Sequence, residues 1–462
     1  MDVVLAAKST LSVAVYEIDR PDIVDAIVDA ASRGVDVRVI VDNAERLKDV
    51  LTESDKVERA FAQRLMLEHL VRGRDGQYGT ADDASVAAES PVEAVEAAPR
   101  VRTRYRLPPT PSDLPRAVWW SGDVVIDAPV VARGFARLAT ENGTGRYRAP
   151  STSRMHHKFM VADGEVVHIG SYNYTTSGAF GSVFDERSGR VLGHRQAALR
   201  IKSKSVASAF AREFDRLWDG NQQVVDAEVT PRAERTTGGS FSTEECGFRI
   251  EGFFLPSDGA PVRERIAERL ASAQRSISFE MFAFTDPVLA GSIFRVAKDH
   301  SVAVHGIVDA RFYKSFLGAA EEVSLEARKF FEDLEGLDGT RAVQVSKLYR
   351  KLHSKFAIVD GLSGEGTSPS VIFGSANWSA SGFERNFESV VILNDPALAA
   401  RFQTEFLRFY RLNLRARDSI GLGPVRQRSE TVAAVDKPPS LQAATRPARS
   451  ISSPAQALSS PR

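Results

Sequence analysis

The chain contains the same long pattern twice, and that duplication restricts its fold more than any other feature. Residues 9–43 read STLSVAVYEIDRPDIVDAIVDAASRGVDVRVIVDN, and residues 275–310 read RSISFEMFAFTDPVLAGSIFRVAKDHSVAVHGIVDA. Alternating apolar positions open each copy, Leu11, Val13 and Val15 against Ile277, Phe279 and Met281, the period of a half-buried strand. Pro21 or Pro287 then suits the first turn of a helix. A helical stripe follows, Ile23, Ala26, Ile27 and Ala30 in one copy and Leu289, Ile293, Phe294 and Ala297 in the other. Each copy closes on a β-branched run ending in Ile-Val-Asp. Strand, helix and strand joined by short connections form a βαβ unit, so a parallel or mixed sheet is expected.

The match resumes downstream. HHKFMVADGEVVHIGSYNYTTSG (156–178) parallels HSKFAIVDGLSGEGTSPSVIFGSANWSASG (353–382). Each is a strand, an Asp-Gly turn, a second strand ending in Gly-Ser, then an Asn and a Ser/Thr-rich turn. The repeated unit is therefore a whole domain rather than a solenoid module, and two such halves predict a pseudo-twofold pair. The expected organisation is a first repeat over 1–225, a linker over 226–245, a second repeat over 246–418 and a tail over 419–462. The first repeat carries a long insertion at about 44–150, partly Gly/Asp-rich and partly Ala/Glu-rich, read as a surface excursion. The tail is rich in Pro, Ser, Ala and Arg, with too few large apolar residues to offset its ordering entropy, and is expected to be disordered.

Each downstream stretch carries His, Lys and Asp at the spacing H-x-K-x-x-x-x-D: His156, Lys158 and Asp163, then His353, Lys355 and Asp360. On a strand, period two puts the His and Lys of each copy on one face, with His157 facing away. Asn173 and Asn377 on the neighbouring strand add amides, and Ser171 and Ser375 add hydroxyls. Two His, two Lys and two Asn converging without a carboxylate cage suit a phosphate. One imidazole then serves as nucleophile and the other as general acid, and no metal or cofactor is needed. One copy of so short a motif is a weak signal; two copies, each followed by G-S-x-N, are a strong one.

These residues resemble the phospholipase D superfamily, with its two HKD motifs, over nearly all of residues 5–415. The resemblance implies two α/β/α sandwich repeats with mixed sheets and one shared active site, and phosphodiester hydrolysis or transfer through a phosphohistidine. It implies His156 as nucleophile and His353 as acid, with Lys158, Lys355, Asn173 and Asn377 on the phosphate. Asp163 and Asp360 would hold the turns. The family's G-x-x-x-N-x-E acid, which buttresses the His, is kept in the second repeat as Glu388. The first repeat lacks that Asn, and Asp185 is the best candidate there, with Glu186 behind it.

Other features weigh less. His168 aligns with Ile372 and is read as an ordinary strand position, and the acidic stretch 75–83 as a surface turn, since it fails the EF-hand spacing. Basic residues flank both histidines: Lys347, Arg350 and Lys351 in one copy, Arg146, Arg148 and Arg154 in the other. They suit an anionic headgroup or nucleic acid, and equally a solvated face.

Phospholipid is the expected substrate, with a metal-independent nuclease as the alternative and a non-catalytic binding protein third. Lys plus Arg equals Asp plus Glu at 60 each, so the chain carries no global basic field for nucleic acid. Trp119, Trp120, Phe316, Phe330 and Phe331 are candidates for an apolar pocket mouth. The one cysteine, Cys246, excludes an intrachain disulfide. A monomer is expected, with peripheral membrane contact open and no run long enough to span a bilayer. The N-terminus carries no export signal, so the chain reads as soluble and cytoplasmic; a start further upstream would make it exported.

Overall fold

The computed structural model describes residues 1–42, 66–67, 69–70, 72–77, 80–88, 154–179, 184–185, 190–223, 239–245, 247–300, 302–336, 341–346, 348–361 and 366–419. Residues 420–462 of the expected tail, with Trp119, Trp120, Arg146, Arg148, Glu186 and Lys347, lie outside them.

The first repeat builds a six-stranded mixed sheet from β1 (Thr10–Val15), β2 (Asp36–Val41), β3 (Ser85–Ala88), β4 (Lys158–Ala162), β5 (Val166–Gly170) and β8 (Ala198–Lys202), in the order β3-β2-β1-β4-β5-β8. β1, β2 and β3 are parallel, as the βαβ reading requires; β4, β5 and β8 continue the sheet antiparallel. The second repeat contributes β10 (Phe248–Leu255), β11 (Ser276–Met281), β12 (Ala303–Asp309), β13 (Val343–Ser346), β15 (Lys355–Val359), β16 (Ser370–Gly374) and β17 (Glu388–Leu393). Its order, β13-β12-β11-β15-β16-β17-β10-β9, repeats the first sheet strand for strand and then runs two strands further. The edge strand β9 (Phe241–Glu245) uses the last residues of the expected linker.

Registers fix the equivalence to the residue. Phe159 pairs with Ala14 and Ile169, and Phe356 pairs with Glu280 and Phe373. His168 faces Met160 as Ile372 faces Ala357, so His168 is the strand position expected of it.

Helices cover the outer faces: α1 (Asp2–Ala6) and α2 (Pro21–Ser32) on the first sheet, and α4 (Gly259–Ala271), α5 (Pro287–His300), α6 (Tyr313–Val323) and α7 (Leu325–Asp333) on the second. The inner faces share one core with α3 (Lys204–Gln223) and α8 (Pro396–Ser419): Phe159, Val161 and Phe210 of the first repeat pack with Phe254, Phe356 and Phe406 of the second. Strand alternation sorts the side chains, Phe356 and Ile358 inward, Ala357 and Val359 outward. His157 follows the inward set, fully buried, edge-on to Phe159 and Phe254.

The two motif aspartates end β4 and β15 in the left-handed region, at φ 54° for Asp163 and 53° for Asp360. Each carboxylate accepts the backbone N–H groups that lead into the central strand: Lys8, Ser9 and Thr10 for Asp163, and Gln274, Arg275 and Ser276 for Asp360. Asp360→Ala removes a buried side chain that accepts three backbone N–H groups, so we expect a loss of about 2–4 kcal/mol of stability. Urea unfolding checks this, with the Asn variant losing less.

Candidate active site

Both motif histidines sit where one repeat's backbone crosses to the other. The segment before each motif leaves its own sheet and forms a single bridge or short strand with the opposite repeat. Met155 bridges Phe387, and β14 (Tyr349–Leu352) runs parallel to β7 (Arg190–Arg195), which pairs in turn with the two-residue strand β6 (Phe184–Asp185). The His156 N–H donates to the Phe387 carbonyl and the His353 N–H to the Arg195 carbonyl, both at 2.8 Å. Asp42 and Asp309, the last residues of the two Ile-Val-Asp runs, accept the N–H of Met155 at 2.7 Å and of Leu352 at 2.9 Å. Each histidine is thus fixed by a strand end of its own repeat and a carbonyl of the other.

The ring contacts differ. His156 Nδ1 lies 2.7 Å from Glu388 Oε1, so the acid of the second repeat backs the histidine of the first rather than its own. His353 Nδ1 lies 2.8 Å from the Ser171 carbonyl. A carbonyl only accepts, so Nδ1 carries the proton in His353 and Nε2 is left for chemistry. Glu388 is fully buried and is held by Asn386 Nδ2 at 3.2 Å.

The register identifies the residue that matches Glu388 in the first repeat. Gly170 pairs with Ala198 as Gly374 pairs with Val390, and Ser171 meets Ala197 as Ser375 meets Ser389. Two residues before Val390 is Glu388; two before Ala198 is Gln196. Asp185, the acid expected from the pattern, instead pairs with Arg190 in a hairpin inserted between β5 and β8. That insertion moves every pattern count made from Gly178. His194, Arg195 and Gln196 occupy the positions of Asn386, Phe387 and Glu388, so an amide replaces the acid, its Nε2 donating to the Gly178 carbonyl at 2.6 Å.

Both lysines are buried, and each ammonium donates to the carbonyl of its own histidine, Lys158 to His156 at 2.7 Å and Lys355 to His353 at 2.8 Å. The Ser171 and Ser375 hydroxyls face the backbone of the adjoining strand. Asn173 donates to Glu17 Oε2 at 2.7 Å, and its Oδ1, like that of Asn377, is buried without a hydrogen-bond partner.

Several neighbours escaped the sequence reading. Tyr16 and Phe282 end the two central strands and pack against His156 and His353, with centroids 4.9 and 5.0 Å apart. Arg154 and Lys158 lie over Tyr16; Lys351 and Lys355 lie over Phe282. The His194 ring is 6.1 Å from His353. Arg154 and Lys351, read from the sequence as flanking cations, share a [K/R]-x-H-x-K spacing. Phe316 and Phe331, expected at the pocket mouth, are fully buried in the outer core of the second repeat, and Phe330 packs on that core. Their helical stripe decides this: it faces the sheet. Asp75, Asp82 and Asp83 cluster in a turn within the first-repeat insertion, where Asp82 accepts from the Arg74 N–H and the Thr80 hydroxyl.

Burial sets the electrostatics. It pushes His156 and His353 well below the ordinary imidazole range, reinforced by Lys158 and Lys355 at His156 and by Lys355 and Lys351 at His353. Burial also brings Lys158 down to about 7, against the pull of Glu388, and Lys355 well down. Glu388 is pushed up to about 7 by burial, with Lys158 opposing. Desolvated lysines facing neutral imidazoles form a site that gains from an incoming anion.

A family model described as "Cardiolipin synthase, PLD-like domain" matches residues 2–106, 110–218 and 266–410. A mitochondrial cardiolipin hydrolase of Danio rerio is 28% identical over 149 residues, 32% of this chain and 56% of that protein. One from Drosophila melanogaster is 31% identical over 156 residues, 32% of this chain and 58% of that protein. The chain thus spans little more than half the length of these relatives. Among solved structures, phosphatidylserine synthase of Haemophilus influenzae Rd KW20 aligns over 90% of this chain and 82% of that one, with a TM-score of 0.50 at 12% identity, a likeness of fold.

Lys351→Gln removes a cation that lowers both histidines, so both should titrate at higher pH than in the native chain. Two-dimensional NMR titration of the imidazole signals checks the direction, with His305, buried in the second repeat, as the internal control.

Proposed function

Because this chain belongs to the phospholipase D superfamily, its family model reaching across both repeats, we propose that it hydrolyses or transfers phosphodiesters of phospholipids through a phosphohistidine. One observation carries the reading. Two His–Lys pairs meet across the repeat boundary, and the ring nitrogen left open on His353 is the one a general acid needs. His353 takes up a second proton, on Nε2, as the phosphate anion enters; His156 Nε2 then gives its electron pair to phosphorus as the bond to the leaving alcohol oxygen breaks, and the His353 imidazolium passes its Nε2 proton to that oxygen. His353, now neutral, takes a proton from water; the water oxygen bonds phosphorus, and the P–N bond returns its electrons to His156. With an alcohol in place of water the same step is transfer.

The unequal backing of the two histidines supports the division of roles. A phosphorylated imidazole carries positive charge, which the Glu388 carboxylate offsets at His156. His353 must release its proton, and the neutral Ser171 carbonyl does not hold it there. The Lys158 and Lys355 ammonium groups neutralise the phosphate oxygens and the Asn377 Nδ2 donates to one of them, which leaves no charge for a metal ion to supply. The desolvated lysine amines regain their protons as the anion enters.

A phospholipid substrate is supported by the family description and by the relatives' names. A nuclease is the second reading, favoured by Arg154 and Lys351 beside the aromatic rings Tyr16 and Phe282, since cations and stacking faces also suit single-stranded nucleic acid. Purified protein assayed on phosphatidylcholine, phosphatidylethanolamine, cardiolipin, single-stranded DNA and RNA separates the two. Turnover confined to the nucleic acids would overturn the lipid reading.

Two outcomes test the mechanism. His156→Ala and His353→Ala should each lower kcat by about a thousandfold or more, with activity of the native chain surviving EDTA. Appreciable turnover in either variant would contradict a shared site. The pH–rate profile should be bell-shaped. Activity rises as the coupled His156–Glu388 pair loses a proton, and falls as His353 loses the proton it donates. A monotonic profile points to other groups.

A further inference from the structure

Beside the replacement of Glu388 by Gln196, the two repeats differ around the site where the first one presents Arg195. Its counterpart Phe387 is apolar, and the residue opposite, Ala14, is apolar too; in the second repeat the position of Ala14 is held by Glu280. The Arg195 guanidinium meets Glu280 with both arms, Nε to Oε2 at 3.1 Å and Nη2 to Oε1 at 3.0 Å, and its Nη1 donates to Glu405 Oε1 at 2.7 Å. It also lies 4.6 Å over the ring of Phe409 on α8. Glu280, on the central strand β11, is fully buried. One side chain of the first repeat is therefore clasped by a strand and a helix of the second, where the symmetric position holds the buried Phe387.

The backbone of the same residue holds His353. The Arg195 carbonyl accepts the His353 N–H at 2.8 Å and the Ser354 hydroxyl at 3.3 Å. We propose that Arg195 is a positioning residue for His353: the Arg195–Glu280 clasp fixes the carbonyl that sets the depth and angle of the acid's ring. The inference rests on the reading of His353 as general acid. Strand β7 belongs to a three-stranded sheet lying outside both main sheets, so its lattice of hydrogen bonds is short. Planar, two-armed Arg–carboxylate geometry supplies the rigidity that so small a sheet lacks. His156 needs no such device, because Phe387 immediately precedes β17, inside an eight-stranded sheet, and Glu388 holds the ring directly. The charged groups facing His353 are Lys355, Lys351, Lys158 and His156, with His194 beside it, and they are unchanged by the substitutions below.

The test uses the full chain with Arg195→Lys, Arg195→Met and the double variant Arg195→Met/Glu280→Gln. Replacing both members of a buried ion pair is often neutral for stability, so the double variant keeps the question answerable if Arg195→Met fails to fold. We expect kcat to fall about 10–100-fold in the folded Met variants with KM within about threefold, and partial recovery in Arg195→Lys. The alkaline limb of the pH–rate profile and the NMR titration of His353 should move, and that of His156 should stay. A folded double variant with native kcat and native His353 titration would overturn the proposal, as would a shift confined to His156. Absence of turnover in the native chain would instead count against the proposed function, and the titration arm would still decide the role of Arg195.

Discussion

Everything at the site depends on one exchange of backbone hydrogen bonds. The strand end before each motif histidine leaves its own sheet and docks on the other repeat, His156 on Phe387 and His353 on Arg195. A buried N–H without an acceptor is costly, so each repeat needs the other to complete its own strand ends. The shared inner core of Phe159, Phe254, Phe356 and Phe406 provides the apolar driving force, and the crossings turn that contact into a defined geometry. Neither repeat alone satisfies the segment that carries its histidine.

The same arrangement explains how so many charges tolerate burial. Lys158 and Lys355 donate to main-chain carbonyls of the residues they accompany, and Glu388 is the carboxylate placed against the first imidazole. Burial weakens the ionised form of each group, which leaves the empty site close to neutral and the lysines able to regain charge beside an anion. Asp163 and Asp360 share none of this. Their carboxylates are spent on backbone donors at the head of the central strands, so the D of the motif acts on the fold and the H and K on the site.

Much of this was legible in the residues. The period-two runs, the helix-opening prolines and the repeated H-x-K-x-x-x-x-D locate strands, helices and the paired site, because they reflect local geometry that each copy imposes on itself. The parallel β1–β2 and β11–β12 pairs follow from the βαβ pattern. What misled was counting along the chain across an insertion. Asp185 fits a pattern read from Gly178, but the hairpin at 184–195 lengthens the connection, and the register with β5 puts Gln196 where Glu388 stands. Phe316 and Phe331 look like a pocket mouth only while their helices have no neighbours.

The amino-acid sequence by itself determined two α/β repeats and which side chains of each strand share a face, since these follow from periodicity and side-chain type within one copy. Only the tertiary structure decided which repeat supports which histidine. The carboxylate on His156 comes from the second repeat, the carbonyl on His353 and the clasp behind it from the first. Such partners lie far apart along the chain and are chosen by strand register and by the crossing of two backbones, and no local pattern encodes either.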